Sequence, residues 1–339
     1  MIGRSLYRRL VVGLGVSVTA TCLTLALLVG AFGCQSEDEY VASKLRVAVI
    51  PKATENEYWK AVEAGALAAA NEQRAEVIWK GPSREDQVDE QIKLVEELSS
   101  QGVAGIVLAP IDSKALVPAV KAARARNVRV VIFDSALDAE VGKDFIAFVG
   151  THNRNAGKMA GEELVRLLGG KGKVVLLRHK KGSASTHERE EGFLEAMVGH
   201  PEMKVVSADQ YAGGTVESAK QKSKEMLDAI RDADGLFCPN ETTTLGTLQA
   251  LRDAGVLKSE GRKLKFVGFD ATPPLVQALD AGEIDALVSQ DPDRMGHDAV
   301  QTVIESAMGK LSEQVQDTGA VLITKSRMLD PDVRKILKR

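Results

Sequence analysis

The sequence is short of the residues that carry most covalent and metal chemistry. It holds three cysteines and five histidines in 339 residues. Cys22 and Cys34 belong to an apolar leader, so Cys238 stands alone in the remainder, where no intrachain disulfide and no Cys-rich metal spacing is available. His152, His179, His187, His200 and His297 form neither an H-E-x-x-H run nor an i,i+4 pair, which argues against a metal site. No G-x-S-x-G elbow occurs, and Gly169–Lys173 lacks the spacing of a phosphate loop and precedes a strand pattern, so it reads as a turn. A net charge of −3 gives no reason to expect nucleic acid. These absences point away from an enzyme, a cofactor and a metal. Aromatic residues make up only 4% of the chain, so adjacent aromatics such as Tyr58 and Trp59 carry weight.

The first residues stand apart. Arg4, Arg8 and Arg9 precede an uncharged apolar run from Leu10 to Phe32, and the polar stretch Gln35 to Glu39 follows. Basic, apolar and then small residues are the layout of a secretory signal, while the length of the run also suits a helix across ~30 Å of bilayer. Gly33-Cys34 at its end resembles the lipobox of bacterial lipoproteins, in which the cysteine is lipidated and becomes the mature N-terminus. Residues 1–34 are therefore expected to be a signal peptide with a lipobox-like end and 35–43 a linker. A lipid or a retained helix would hold the chain at a membrane, with Lys44 onward outside the cytoplasm.

From Leu45 the hydrophobic pattern alternates between short continuous runs and longer helical stretches. Strands are predicted at 45–50, 76–79, 105–108, 130–133 and 146–149, and helices at 58–72, 87–99 and 115–126. A second series follows, with strands at 173–177, 205–208, 235–238, 265–269 and 286–289. Its helices are expected at 156–168, 189–198, 216–230, 244–254, 274–281 and 294–308. Apolar strands separated by helices indicate parallel sheets covered on both faces. Hydrophobic content of 44%, with 27% charged, supplies ordinary globular cores, and the length exceeds what a single core usually serves. The expected fold is α/β, with two doubly wound, Rossmann-like lobes.

In such sheets ligands bind beyond the carboxyl ends of the strands. The first predicted strand is followed by Asn56, Tyr58 and Trp59, and later strands end in Asp134, Asn240, Asp270 and Gln290. Each acid or amide singly suits a helix N-cap, and the aromatic pair singly suits helix packing. Together they fit a polyol, whose hydroxyls pair with carboxylates and amides and whose C–H face lies against an aromatic ring. Lys180 and Lys181 read as a solvated turn, and Glu188, Glu190 and Glu191 as a solvated helix face.

The order of motifs resembles the ribose/galactose-type periplasmic binding proteins, relatives of the effector domain of lactose-type repressors. The stretches that carry it are Asn56-Glu57-Tyr58-Trp59, Ala109-Pro110-Ile111-Asp112-Ser113, Phe133-Asp134-Ser135, Gly150-Thr151-His152-Asn153, Gly182 through Arg189 with Gly192-Phe193, Asn240-Glu241, Val267-Gly268-Phe269-Asp270 and Gln290-Asp291-Pro292. They cover about Lys44 to Thr324. The resemblance implies a monomer whose lobes, joined by a three-stranded hinge, close on a small sugar or related polar metabolite and present it to the permease of an ABC transporter. A sensor handing the same closed form to a chemoreceptor or sensor kinase would use identical residues. A repressor would need a DNA-binding helix pair where residues 1–43 hold the leader.

The same resemblance implies an N-terminal lobe of 44–150 plus 291–318, a C-terminal lobe of 151–290 plus 319–326, and a tail of 327–339. Its ligand contacts are Asn56, Tyr58, Trp59, Asp134, His187, Asn240, Asp270 and Gln290, with Tyr211 as a further candidate. Ribose binders carry arginine where Ser135 and His187 stand, and a serine or histidine does not replace planar, bidentate recognition. That departure argues against ribose itself.

Overall fold

Valine and isoleucine dominate the short runs, and each becomes a strand in the structure, a computed structural model that describes residues 44–257 and 263–337. The leader, Cys34 and the linker lie outside these residues. In chain order the strands are β1 (Arg46–Ile50), β2 (Glu76–Trp79), β3 (Gly105–Leu108), β4 (Arg129–Phe133), β5 (Ala147–Gly150) and β6 (Gly172–Leu176). They continue with β7 (Met203–Ser207), β8 (Gly235–Phe237), β9 (Lys265–Phe269), β10 (Ala286–Gln290), β11 (Val315–Asp317) and β12 (Ala320–Ile323). One six-stranded sheet has the order β11-β5-β4-β3-β1-β2, the other β12-β10-β9-β8-β6-β7. Every pairing is parallel except that of β12 with β10.

Register decides where the strands end. Ile50 pairs with Leu108, Leu108 with Ile132 and Phe133 with Val149, so the carboxyl ends of the first sheet form one rim. Phe237 opposite Val267 and Phe269 opposite Val288 do the same in the second. Asp134 and Asp270, the residues directly after β4 and β9, both adopt the left-handed backbone, with φ of 60° and 69°. That conformation is uncommon outside glycine and often marks functional sites.

The chain passes between the sheets at three places. After β5 it runs through Thr151 into the helix Asn153–Leu168, which packs on the second sheet. After β10 it enters the helix Pro292–Ala307, which packs on the first. Thr318 and Gly319 join β11 of the first sheet to β12 of the second. The Thr151 hydroxyl lies 3.1 Å from Gln290 Oε1 and 3.2 Å from the Gly319 carbonyl, so one side chain ties all three crossings.

Small residues let one pair of helices in each lobe cross with their backbones nearly touching. In the first lobe, Gly65 of the helix Glu57–Glu72 faces the Asp293 carbonyl, and Gly296 faces that of Val62. In the second, Gly157 meets the carbonyl of Arg189 and Gly192 that of Arg154. A Cβ at any of these four positions would collide with backbone.

Several segments depart from the expectation. The helix predicted over 216–230 is two, Val216–Glu225 and Leu227–Asp232, with a turn at Met226 that sets Met226 and Ile230 into the core. The helices after β8 and β10 start earlier, at Glu241 and Pro292, capped by the side chains of Asn240 and Asp291. Residues read as a tail pack instead, because Met328 and Val333 are buried in the second lobe and Pro331–Leu337 is helical. Among the described residues, no helix is long and apolar enough to cross a membrane.

The crossing at Gly157 generates a prediction. Gly157→Ala forces the helices Asn153–Leu168 and Ala184–Val198 apart and should cost about 1–3 kcal/mol in urea unfolding. An unchanged midpoint would show that the crossing is looser than described.

Candidate functional site

Residues from both rims enclose a small cavity, of about 20 Å³ for the centre of a water molecule. The first lobe contributes Lys52 after β1, Asn56, Tyr58 and Trp59 at the start of the helix Glu57–Glu72, Glu85 from the loop after β2, and Asp134 after β4. The second contributes Ser185, Thr186 and Arg189 from the helix Ala184–Val198, Asn240 and Glu241 after β8, and Asp270 after β9. Gln290 lies at the second crossing.

Two networks order this wall. In the first, Asp134 accepts from the Tyr58 hydroxyl at 2.9 Å, and its other oxygen lies 2.7 Å from the Lys52 ammonium. Lys52 also donates to Ser185 Oγ of the second lobe at 3.0 Å, and the Ser185 amide donates to Ser135 Oγ at 3.1 Å. In the second, Asp270 accepts from the Glu241 amide at 2.9 Å and from Gln290 Nε2 at 3.3 Å. Arg189 donates to Asn153 Oδ1 and to the Pro239 carbonyl, and its guanidinium lies 3.9 Å from the centre of the Phe269 ring. Arg189 Nη2 is buried and has no hydrogen-bond partner, so a donor remains unspent in the wall.

Further polar contacts join the lobes beside the cavity. Glu85 accepts from Trp59 Nε1 at 3.0 Å and lies 3.2 Å from His179 Nε2 across the cleft. Burial pushes the His179 imidazole down against the raising effect of Glu85, and Thr243 Oγ1 lies 3.4 Å from its other nitrogen. Burial opposes the Glu85 charge, but the His179 contact, Lys52 and Trp59 outweigh it and hold the carboxyl below its ordinary range. The Tyr58 amide, on the first turn of its helix, donates to Glu241 Oε2 at 3.2 Å. Asn56, the N-cap of that helix, makes no side-chain cap bond, so the opposite lobe supplies the cap. Burial, and then the charge of Asp270, push Glu241 up to about 8. Burial pushes Asp270 up to about 6 against the lowering effect of Arg189.

The cavity brings together Asn56, Tyr58, Trp59, Asp134, Asn240, Asp270 and Gln290. Tyr58 and Trp59 also pack in the first core, and Asn240 also caps its helix, so the alternative roles coexist. His187 is not among the lining residues. It is exposed, because helical period turns it away from the side shared by Thr186 and Arg189. Arg189, two residues on, places a guanidinium in the wall instead. Tyr211 also stays outside, its backbone bridged to Arg178 and its ring 5.4 Å from the Lys181 ammonium.

Two charged stretches are less solvated than they read. Lys180 donates to the Ile111 carbonyl of the facing lobe at 3.3 Å. Glu190 is 2% exposed and pairs with Arg178 at 2.8 Å. Burial pushes the Cys238 thiol up to about 12, which suits an inert core residue. Sequence reasoning missed Lys52, Glu85, Ser185, Thr186, Arg189 and Glu241. Lys52 and Glu241 stand two and three residues beyond a predicted strand end and could have been found there. Glu85 carries no such mark.

Residues 47–311 match the periplasmic binding protein domain family. The chain belongs to that family. A D-ribose/D-allose-binding protein of Pseudomonas aeruginosa is 30% identical over 279 residues, covering 81% of this chain and 86% of the relative. A carbohydrate transporter solute-binding protein of Agrobacterium radiobacter, solved with D-arabinose, is 31% identical with a TM-score of 0.81, covering 87% of this chain and 99% of its own. One from Agrobacterium vitis, solved with D-fucose, is 31% identical with a TM-score of 0.80, covering 85% and 98%. These matches establish the two-lobed fold and a family of binding proteins rather than enzymes.

Glu241 gives the site a pH signature. The unfolded carboxyl loses its proton near the ordinary 4.5, whereas the folded one keeps it to about 8. Its contribution to stability is therefore full below about 4.5 and drains away as pH rises through 8. Glu241→Gln should flatten the fall in melting temperature between pH 5 and 9. A profile parallel to that of the unsubstituted protein would refute this assignment.

Proposed function

We propose that this chain is the extracytoplasmic solute-binding component of a sugar importer, closing its lobes around a monosaccharide and presenting it to the permease of an ABC transporter. The observation that carries this reading is the cavity wall, in which acids, amides, an unspent guanidinium donor and an aromatic pair converge from both lobes. Buried hydroxyls need partners on every side, and such a wall supplies them.

The ligand contacts proposed are Asn56, Tyr58, Trp59, Asp134, Arg189, Asn240, Asp270 and Gln290. Relatives named for ribose and allose, and structures solved with arabinose and fucose, support a neutral pentose or hexose. The cavity is far below the ~300–1,000 Å³ of ordinary ligand sites, which accords with lobes that part by hinge motion to admit a ligand. A periplasmic or cell-envelope location accords with the family, and lipid on Cys34 is the proposed tether.

Thermal shift with a panel of pentoses, hexoses, polyols, nucleosides and amino acids tests the ligand class. A ligand at ~100 times its dissociation constant should stabilise the fold by ~2.7 kcal/mol. Asp134→Ala and Asp270→Ala should each abolish that shift while retaining a cooperative melt. Stabilisation by a nucleoside or amino acid and by no sugar would overturn the substrate class, and unchanged affinity in both variants would overturn the site.

A further inference from the structure

We propose that closing the lobes takes up one proton from solvent and places it on Glu241, so that ligand capture is coupled to pH. The inference rests on the sugar-binding reading above and uses the sugar as its reporter. Closure brings four carboxylates to one small cavity, Glu85 and Asp134 from the first lobe and Glu241 and Asp270 from the second. Two cations line the same wall, Lys52 and Arg189. Lys52 stands 2.7 Å from Asp134, and the charge of Arg189 acts on Asp270. Glu85 meets the ring nitrogens of Trp59 and His179. Glu241 is the acid left over. It is 6% exposed, and its carboxylate accepts from the Tyr58 amide across the cleft.

The charged groups around Glu241 are acids or cations engaged elsewhere. Asp270 accepts from the Glu241 amide at 2.9 Å, and its charge opposes a second negative charge beside it. From the first lobe, Glu85 acts in the same sense. The helix Glu57–Glu72 brings Glu57 and Lys60, and Lys60 is exposed and turned to Glu57 at 2.7 Å. Arg84, in the outer recess that Glu241 also borders, pairs with Asp86 at 3.1 Å. Glu55 and Glu217 add further acids to that recess. The Tyr58 and Glu57 amides at the helix N-terminus favour the anion, but burial and Asp270 outweigh them. A protonated carboxyl keeps a carbonyl oxygen for the Tyr58 amide, so the cross-lobe contact survives neutralisation.

The sign follows from the hinge. Parting the lobes removes Glu85 and the first-lobe helix from Glu241 and returns its carboxyl to water. There it titrates near the ordinary 4.5, whereas the closed form holds its proton to about 8. Between those limits the closed arrangement binds one proton more than the open one, so affinity falls as pH rises toward 8. His179 works the other way, because closing buries it and lowers it from 6.5. At pH 7.5 its ring is neutral in both arrangements, and Asp270, held to about 6, is ionised.

Isothermal titration of the purified full-length chain at pH 7.5 in phosphate, HEPES and Tris tests this with D-arabinose, D-ribose, D-allose and D-fucose. These buffers differ in ionisation enthalpy, so the slope of measured enthalpy against it counts protons. About half to one proton should be taken up per sugar bound, and the dissociation constant should rise roughly three- to eightfold from pH 7 to 8. Glu241→Gln, which keeps an oxygen for the Tyr58 amide, should bring the count near zero and leave affinity flat over that range. A count near zero in the unsubstituted protein overturns the proposal. So does an unchanged count in Glu241→Gln, which would place the proton elsewhere. Should Glu241→Gln fail to melt cooperatively, Glu85→Gln carries the test. Loss of that charge must move the midpoint of proton uptake to lower pH, and an unmoved midpoint overturns the proposal. Binding of none of the sugars by the unsubstituted protein would instead sink the sugar reading, and this inference with it.

Discussion

Parallel strands with both faces buried leave polar chemistry only at their ends, and this constraint organises the molecule. β1, β3, β4, β8, β9 and β10 are buried almost throughout, so their side chains serve the cores. The chain becomes polar within a few residues of the ends of β1, β4, β8, β9 and β10, and level registers gather those ends into one rim per sheet. Two rims create a cleft lined by acids, amides, hydroxyls and two cationic side chains. Asp134 and Asp270 occupy corresponding turns in the two lobes, both with left-handed backbone. The helix after Asp270 is preceded by Thr272 as its N-cap and no helix directly follows Asp134, so both carboxylates face the cleft.

Burying so much charge between two surfaces is costly unless each group finds a partner. Asp134 is balanced by Lys52, Asp270 by backbone and amide donors, and Glu85 by donors from Trp59 and His179. Several of these contacts cross the cleft. Tyr58 to Glu241, Lys52 to Ser185 and Glu85 to His179 each join a residue of one sheet's domain to one of the other. Opening returns those groups to water, where they are readily solvated, so the balance between the two arrangements is easily shifted by a ligand that supplies replacement hydrogen bonds.

The architecture was legible because its signals are local. Continuous Val/Ile runs and helical spacing are read within a dozen residues, and the predicted strands lie within a few residues of β1–β10. What could not be read depends on relations between distant segments. Glu85 belongs to the site because its loop meets His179, 94 residues away. Arg189 rather than His187 faces the cavity because the helix Ala184–Val198 begins at Ala184, five residues before the expected start at Arg189, which sets the direction of each side chain. β11 is three residues, two of them polar, and pairing with β5 makes it a strand; β12, Ala320–Ile323, is as apolar and as long as β3 and could have been read from the sequence.

The three crossings also dictate when the protein finishes folding. The first lobe lacks β11 and the helix Pro292–Ala307 until the last fifth of the chain exists, and the second lacks β12 and the buried Val333 for longer still. Neither lobe is complete as an independent nascent unit, and the contacts that complete each are highly non-local, which slows folding. A chain built in this way stays open until its final strands are made.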